Sequence, residues 1–97
     1  MAAAITAPVK QSKTEIRQWD FDFTNDLLGG VSVSSATATH SPPSGSASTP
    51  TVGTIANNTV PVTLGPLTVT GRHLLTVTAT LSNGEKSQIQ LAIDVIF

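Results

Sequence analysis

From His73 to Phe97 most of the large apolar residues fall on every second position, interrupted by one turn and departed from only at Leu74 and Ile96. His73, Leu75, Val77, Ala79 and Leu81 alternate with Leu74, Thr76, Thr78 and Thr80, and after Ser82-Asn83-Gly84 the rhythm resumes at Ile89, Leu91, Ile93, Val95 and Phe97. A period of two places successive side chains on opposite faces of a strand, so the stretch reads as a long hairpin with one dry face. Parity also sets the loop length. A two-residue Asn83-Gly84 turn would set Val77 against Gln90 and mix the faces. A three-residue loop, Ser82 to Gly84, sets Val77 against Ile89 and Leu75 against Leu91. It also puts Gly84 at the left-handed position of a type I turn with a bulge. The three-residue loop is therefore expected.

The rest of the chain must supply a second sheet to cover that dry face. Glu15 to Phe23 alternates as well: Arg17, Trp19, Phe21 and Phe23 share one parity, Ile16, Gln18, Asp20 and Asp22 the other. The aromatic parity reads as the core side. Asn25 to Gly30 reads as a turn or short helical corner, and Val31 to His40 as a strand of small residues. Ser41 to Pro50 holds three prolines with Gly and Ser and reads as a loop. Thr51 to Ile55 is a short strand, Asn57-Asn58 a turn, and Thr59 to Leu64 a strand in which Pro61 argues for a sheet edge or a bulge. The sequence holds 15 Thr, 9 Val and 6 Ile, and β-branched side chains favour strands. Six or seven short strands with a turn signal about every ten residues predict an all-β fold, an immunoglobulin-like Greek-key β-sandwich over residues 15–97. Residues 1–14 show no period and are expected as an extended N-terminal arm.

Several function classes fall away on composition. A chain of 97 residues without cysteine carries neither a disulfide framework nor a thiolate metal site. Five basic against six acidic residues give no electrostatic drive toward nucleic acid. Apolar runs stay well short of a membrane span, and the first residues lack the basic and apolar regions of a signal peptide. The expectation is a protein made in the cytoplasm, with no nucleic-acid or membrane partner.

The search for chemistry is equally spare. His40 and His73 lie in no metal-ligand spacing. His73 reads as a hydrogen-bonding corner residue at its strand entry, where sandwich folds often use Tyr, and His40 as a solvated residue at a strand–loop junction. No Gly-x-Ser-x-Gly is present. Asp20 and Asp22 share a face about 7 Å apart, which suits paired carboxylates or a Ca²⁺ site; a solvated outer strand face is the simpler account. Gly29-Gly30-Val31 lacks the Gly-Lys-Ser/Thr of a phosphate loop. No catalytic residue, cofactor or metal site is assigned.

Three stretches together resemble a known family. They are Trp19-Asp20-Phe21-Asp22-Phe23 behind a Lys/Glu-containing arm, the Ser/Thr/Ala strand from Ser34 into Pro-Ser-Gly at Gly45, and the Gly71 to Gly84 strand and turn. In that order they resemble the small immunoglobulin-like structural proteins of tailed bacteriophages, with His73 where an aromatic Tyr is usual. The resemblance covers roughly residues 15–95. It implies a non-enzymatic virion protein on the particle exterior, foremost a capsid decoration or stabilising protein that binds the major capsid protein. A tail or collar component with the same fold and a carbohydrate-binding or adhesion module are the alternatives. Candidate partner contacts are Ile5, Pro8, Val9 and Lys10 in the arm, with Leu74 and Ile96, which have outward parity on the hairpin and suit a homotrimer contact on a lattice. With so few charges, those interfaces are expected to be apolar and only weakly sensitive to salt.

Overall fold

The alternation at the C-terminal end becomes the longest ladder of the protein. In a computed structural model, describing residues 3–24, 27 and 29–97 (residues 3–8 through their backbone), β6 (Gly71–Leu81) pairs antiparallel with β7 (Lys86–Val95). Val77 stands opposite Ile89 and Leu75 opposite Leu91. The Gly84 N–H donates to the Leu81 carbonyl at 2.9 Å with φ at 90°, and the Leu81 N–H donates to the Glu85 carbonyl at 2.7 Å. This is the three-residue bulged loop that parity demands. On the outer face the same register aligns polar pairs. The Gln88, Gln90 and Lys86 side chains donate to the hydroxyls of Thr78, Thr76 and Thr80 at 3.2–3.3 Å.

All regular structure among the described residues is β, in two sheets. One has the order β1-β7-β6-β3, with β1 at Ala3–Gln11 and β3 at Val33–Ser41. The other has the order β2-β5-β4, with β2 at Arg17–Asp22, β4 at Thr51–Val52 and β5 at Thr59–Leu64. β1 runs parallel to β7, and all other pairings are antiparallel. Phe21, Phe23, Val60, Val62 and Leu64 of one layer pack on Leu75, Val77, Leu81, Ile93 and Val95 of the other. Each large side chain so removed from water contributes about 1.5–3 kcal/mol before the entropy of ordering it.

Four features depart from the sequence expectation. Residues 3–11, expected as part of an arm, lie along the edge of the larger sheet as β1, with a bulge between Thr6 and Val9. A strand seated on a ready-made edge needs no period of its own, because backbone pairing holds it. Pro61 sits in the central strand β5 rather than at an edge. Its carbonyl accepts from Gly53 N–H at 2.8 Å, so its missing donor faces β4, where pairing stops after two residues. The ladder to β2 is untouched. Phe97 has inward parity but is 69% exposed, since pairing ends at Val95 and the chain leaves the ladder. His40 is buried, not solvated.

Asn57 and Asn58, with φ of 51° and 63°, form a two-residue turn closed by mutual hydrogen bonds between Ala56 and Thr59. Positive φ at both central residues is the type I′ geometry that Asn tolerates. Of the expected corner at Asn25 to Gly30, Asn25, Asp26 and Leu28 lie outside the described residues.

Candidate functional site

Three places on the sandwich combine chemistry with defined geometry. The first is the corner between β1 and β2. Gln11 is buried there, and its amide nitrogen donates to the carbonyls of Glu15 at 3.0 Å and Leu64 at 3.3 Å. Ser12 N–H donates to the Glu15 carboxylate at 2.8 Å. That bond, followed by the Arg17 guanidinium, holds the Glu15 carboxyl below its ordinary range. Lys13 N–H donates to the Phe97 carbonyl at 2.6 Å, and Leu67 N–H donates to the Lys13 carbonyl at 2.8 Å. Gly65, at φ 130°, passes so close that a Cβ would overlap the Glu15 carbonyl oxygen. The corner is thus fixed by backbone bonds from both sheets. Around it Ile16, Ile96 and Phe97 are 64%, 52% and 69% exposed. These three are the large apolar side chains left exposed among the described residues.

The residues named from sequence as partner contacts distribute unevenly. Ile5 stands opposite Gln90 on β1, and Pro8 lies in the bulge. Val9 is half-buried and packs against the core, so it faces inward. Lys10 is exposed beside Asp94. Leu74 is half-buried opposite Ala92, and Ile96 is exposed beyond the end of β7. Arg72 and Asp94, ion-paired at 2.9 Å, stand between Leu74 and Ile96 along the outer face. Leu74 and Ile96 therefore do not form one patch. Ile96 is instead tied by its backbone N–H to the Gln11 carbonyl, at the corner near which Ile16 and Phe97 also lie. Periodicity does not single out Ile16, whose parity is that of the wet face, or Phe97, whose parity is inward.

The second place is a buried histidine pair. The rings of His40, at the end of β3, and His73, at the start of β6, lie edge to edge with centroids 5.0 Å apart and planes 4° from parallel. Nε2 of His40 lies 2.8 Å from Nδ1 of His73. Ser48 N–H donates to His40 Nδ1 at 2.8 Å, and His73 Nε2 lies 2.9 Å from the Val69 carbonyl. These partners settle the protons. The Val69 oxygen only accepts, so His73 carries its proton on Nε2. The Ser48 amide only donates, so His40 carries its proton on Nε2 and gives it to His73 Nδ1. All four ring nitrogens are satisfied with both rings neutral. Burial, then the electrostatic influence of His73, pushes the His40 pKa down. The flanking segments 42–50 and 65–70 hold no charged residue to offset an imidazolium. The bond from His73 to Val69 is the corner contact expected of it. The role of His40 depends on the β3–β6 pairing, which local sequence does not contain.

The third place is a groove of about 470 Å³ between the sheets at their open side, lined by Val9, Trp19, Phe21, Ile89, Leu91 and the edge of β2 at Asp20 and Asp22. The Trp19 indole N–H is shielded from solvent and has no acceptor. The Asp20 and Asp22 carboxylates point outward and already accept hydrogen bonds, from the Gln18 amide at 3.0 Å and from Thr24 N–H at 2.9 Å. The Thr24 bonds hold Asp22 below the ordinary carboxylate range. Among the described residues, no three His, Asp or Glu side chains converge as metal ligands. No protein-family model matches the chain, and no curated protein matches it significantly.

Proposed function

We propose that this chain is a non-enzymatic structural protein of a tailed-phage virion, a decoration or stabilising protein that binds the major capsid protein on the particle exterior. On this reading its two sheets form an immunoglobulin-like Greek key. The strand order β1-β7-β6-β3 over β2-β5-β4, with β1 parallel to β7, supports that assignment. The observation that carries the function is the corner bearing Ile16, Ile96 and Phe97. Its backbone is pinned by hydrogen bonds from both sheets, and its apolar side chains are left in water. A rigid apolar knob loses little conformational entropy on binding, which suits permanent docking to another subunit. The polar outer face of the hairpin, built mainly on Thr and Gln, suits a particle surface. One knob per chain also suits a lattice contact shared by a homotrimer.

The test is binding of purified protein to capsids that lack it, by co-sedimentation. Wild-type protein should bind. Ile96→Glu with Phe97→Glu should lower binding at least tenfold while leaving the unfolding midpoint unchanged, because both side chains are exposed. Undiminished binding of that double variant would refute the assignment of the knob. Deleting residues 2–13 is a blunter test, since it removes β1 from the sheet.

A further inference from the structure

We infer that the open edge of β2, with the apolar groove beside it, takes up an extended segment of a partner protein as an added strand, and that this segment carries Lys or Arg on alternate residues. The inference stands apart from the virion reading and uses a different surface.

The edge is available in a definite phase. Among the described residues, β2 is an outer strand of its sheet, with β4 at the other side. Phe23 N–H donates to the Asn58 carbonyl at 3.0 Å, continuing the ladder in which β2 faces β5. In an antiparallel pair the N–H and C=O of one residue point to the same side, and those of the next residue to the other. Arg17, Trp19 and Phe21 therefore bond β5, while Gln18, Asp20 and Asp22 present their backbone groups to the open side. An incoming strand of about six residues, the length of β2, would find its ladder partners there.

Side chains of that strand would alternate between two environments. Those turned inward meet Trp19, Phe21, Ile89 and Leu91, an apolar wall. In that wall the Trp19 indole N–H lacks an acceptor, which a strand carbonyl or a hydroxyl side chain can supply. Side chains turned outward stand beside the exposed Asp20 and Asp22 carboxylates, and opposite charges on neighbouring strands attract. The cation on β2 itself, Arg17, is held by Glu15 at 2.7 Å and lies over the Trp19 ring. The same charges oppose a second copy of the edge. Antiparallel pairing of β2 with itself about Asp20 would set that carboxylate against its own copy, the usual protection of an edge strand. A cationic alternating segment turns that repulsion into attraction.

The experiment uses the intact chain and two synthetic octapeptides, one alternating Lys with Val and Thr, the other with Glu in place of Lys. Trp19 is the single tryptophan, so its emission and its indole N–H resonance report the groove directly. The Lys peptide should shift both signals and slow amide exchange at Gln18, Asp20 and Asp22. The Glu peptide should do neither. Asp20→Asn with Asp22→Asn keeps both acceptors, and it should weaken the Lys peptide about three- to tenfold. The idea is overturned by equal effects of the two peptides, by no effect of either at millimolar concentration, or by protection confined to β3 or β4. Self-association that protects the same amides without peptide would assign the groove to a second copy and overturn it too.

Discussion

Acidification is the perturbation whose effect follows most directly from the geometry. The chain Ser48 N–H to His40, His40 to His73, and His73 to the Val69 carbonyl is complete only when both rings are neutral. A proton added at His40 Nδ1 would face the Ser48 N–H. One added at His73 Nδ1 would face the His40 N–H. Either addition turns an acceptor into a donor facing a donor. Unfolded His40 titrates near 6.5, and burial, then the electrostatic influence of His73, pushes the folded value lower. Between those two values the unfolded chain binds the extra proton, so stability falls as pH falls; above about pH 7.5 it is flat. One excluded proton costs up to about 1.4 kcal/mol per pH unit in this window. For a domain of this size that lowers the melting midpoint by roughly 6–11 °C per unit. Glu15, Asp22 and Asp94 are held below their ordinary values of 4.5 and 3.8, so they begin to add to the fall only near pH 5, where the unfolded carboxyls start to protonate. Urea unfolding at half-unit steps from pH 8 to 5 measures the slope. His40→Gln with His73→Gln should flatten it. Nitrogen-15 spectra at pH 7.5 should show both rings as neutral Nε2–H tautomers, which checks the assignment even if the double variant does not fold. A flat wild-type profile, or a charged ring at pH 7.5, refutes the reasoning.

Other perturbations probe the frame and the interfaces. Gly65→Ala should cost more than 2 kcal/mol in urea unfolding, because its φ of 130° and the Glu15 carbonyl leave no room for a Cβ. Phe23→Ala should cost about 3–5 kcal/mol, since Phe23 is fully buried between the sheets. Capsid binding through the Ile16, Ile96 and Phe97 knob should survive 1 M NaCl in co-sedimentation, as an apolar contact does. Binding of the Lys octapeptide at the β2 edge should weaken in the same salt.

Local sequence carried the parts of this fold that rest on parity or on a single turn. The β6–β7 register follows from requiring Val77 to meet Ile89, and the Asn57-Asn58 turn from what Asn tolerates. The core positions of Phe21 and Phe23 follow from alternation. What remained hidden depends on partners distant in sequence. β1 has no apolar rhythm because β7 supplies its pairing. Pro61 is compatible with a central strand only because β4 ends beside it. His40 reads as a junction residue until β3 lies against β6 and brings His73 to it. Phe97 keeps the inward rhythm of β7 past the point where the ladder stops. The corner at Ile16 is likewise invisible to periodicity, since Gln11, Lys13, Leu64 and Phe97 assemble it from three separated segments.

The virion assignment is tested most directly by a cryo-EM reconstruction of the native particle at side-chain resolution. The account predicts a two-sheet density at regular positions on the outer surface of the head, with the corner of Ile16, Ile96 and Phe97 seated on the major capsid protein. A head surface bare of that density, or the domain found only in the tail or collar, would contradict it.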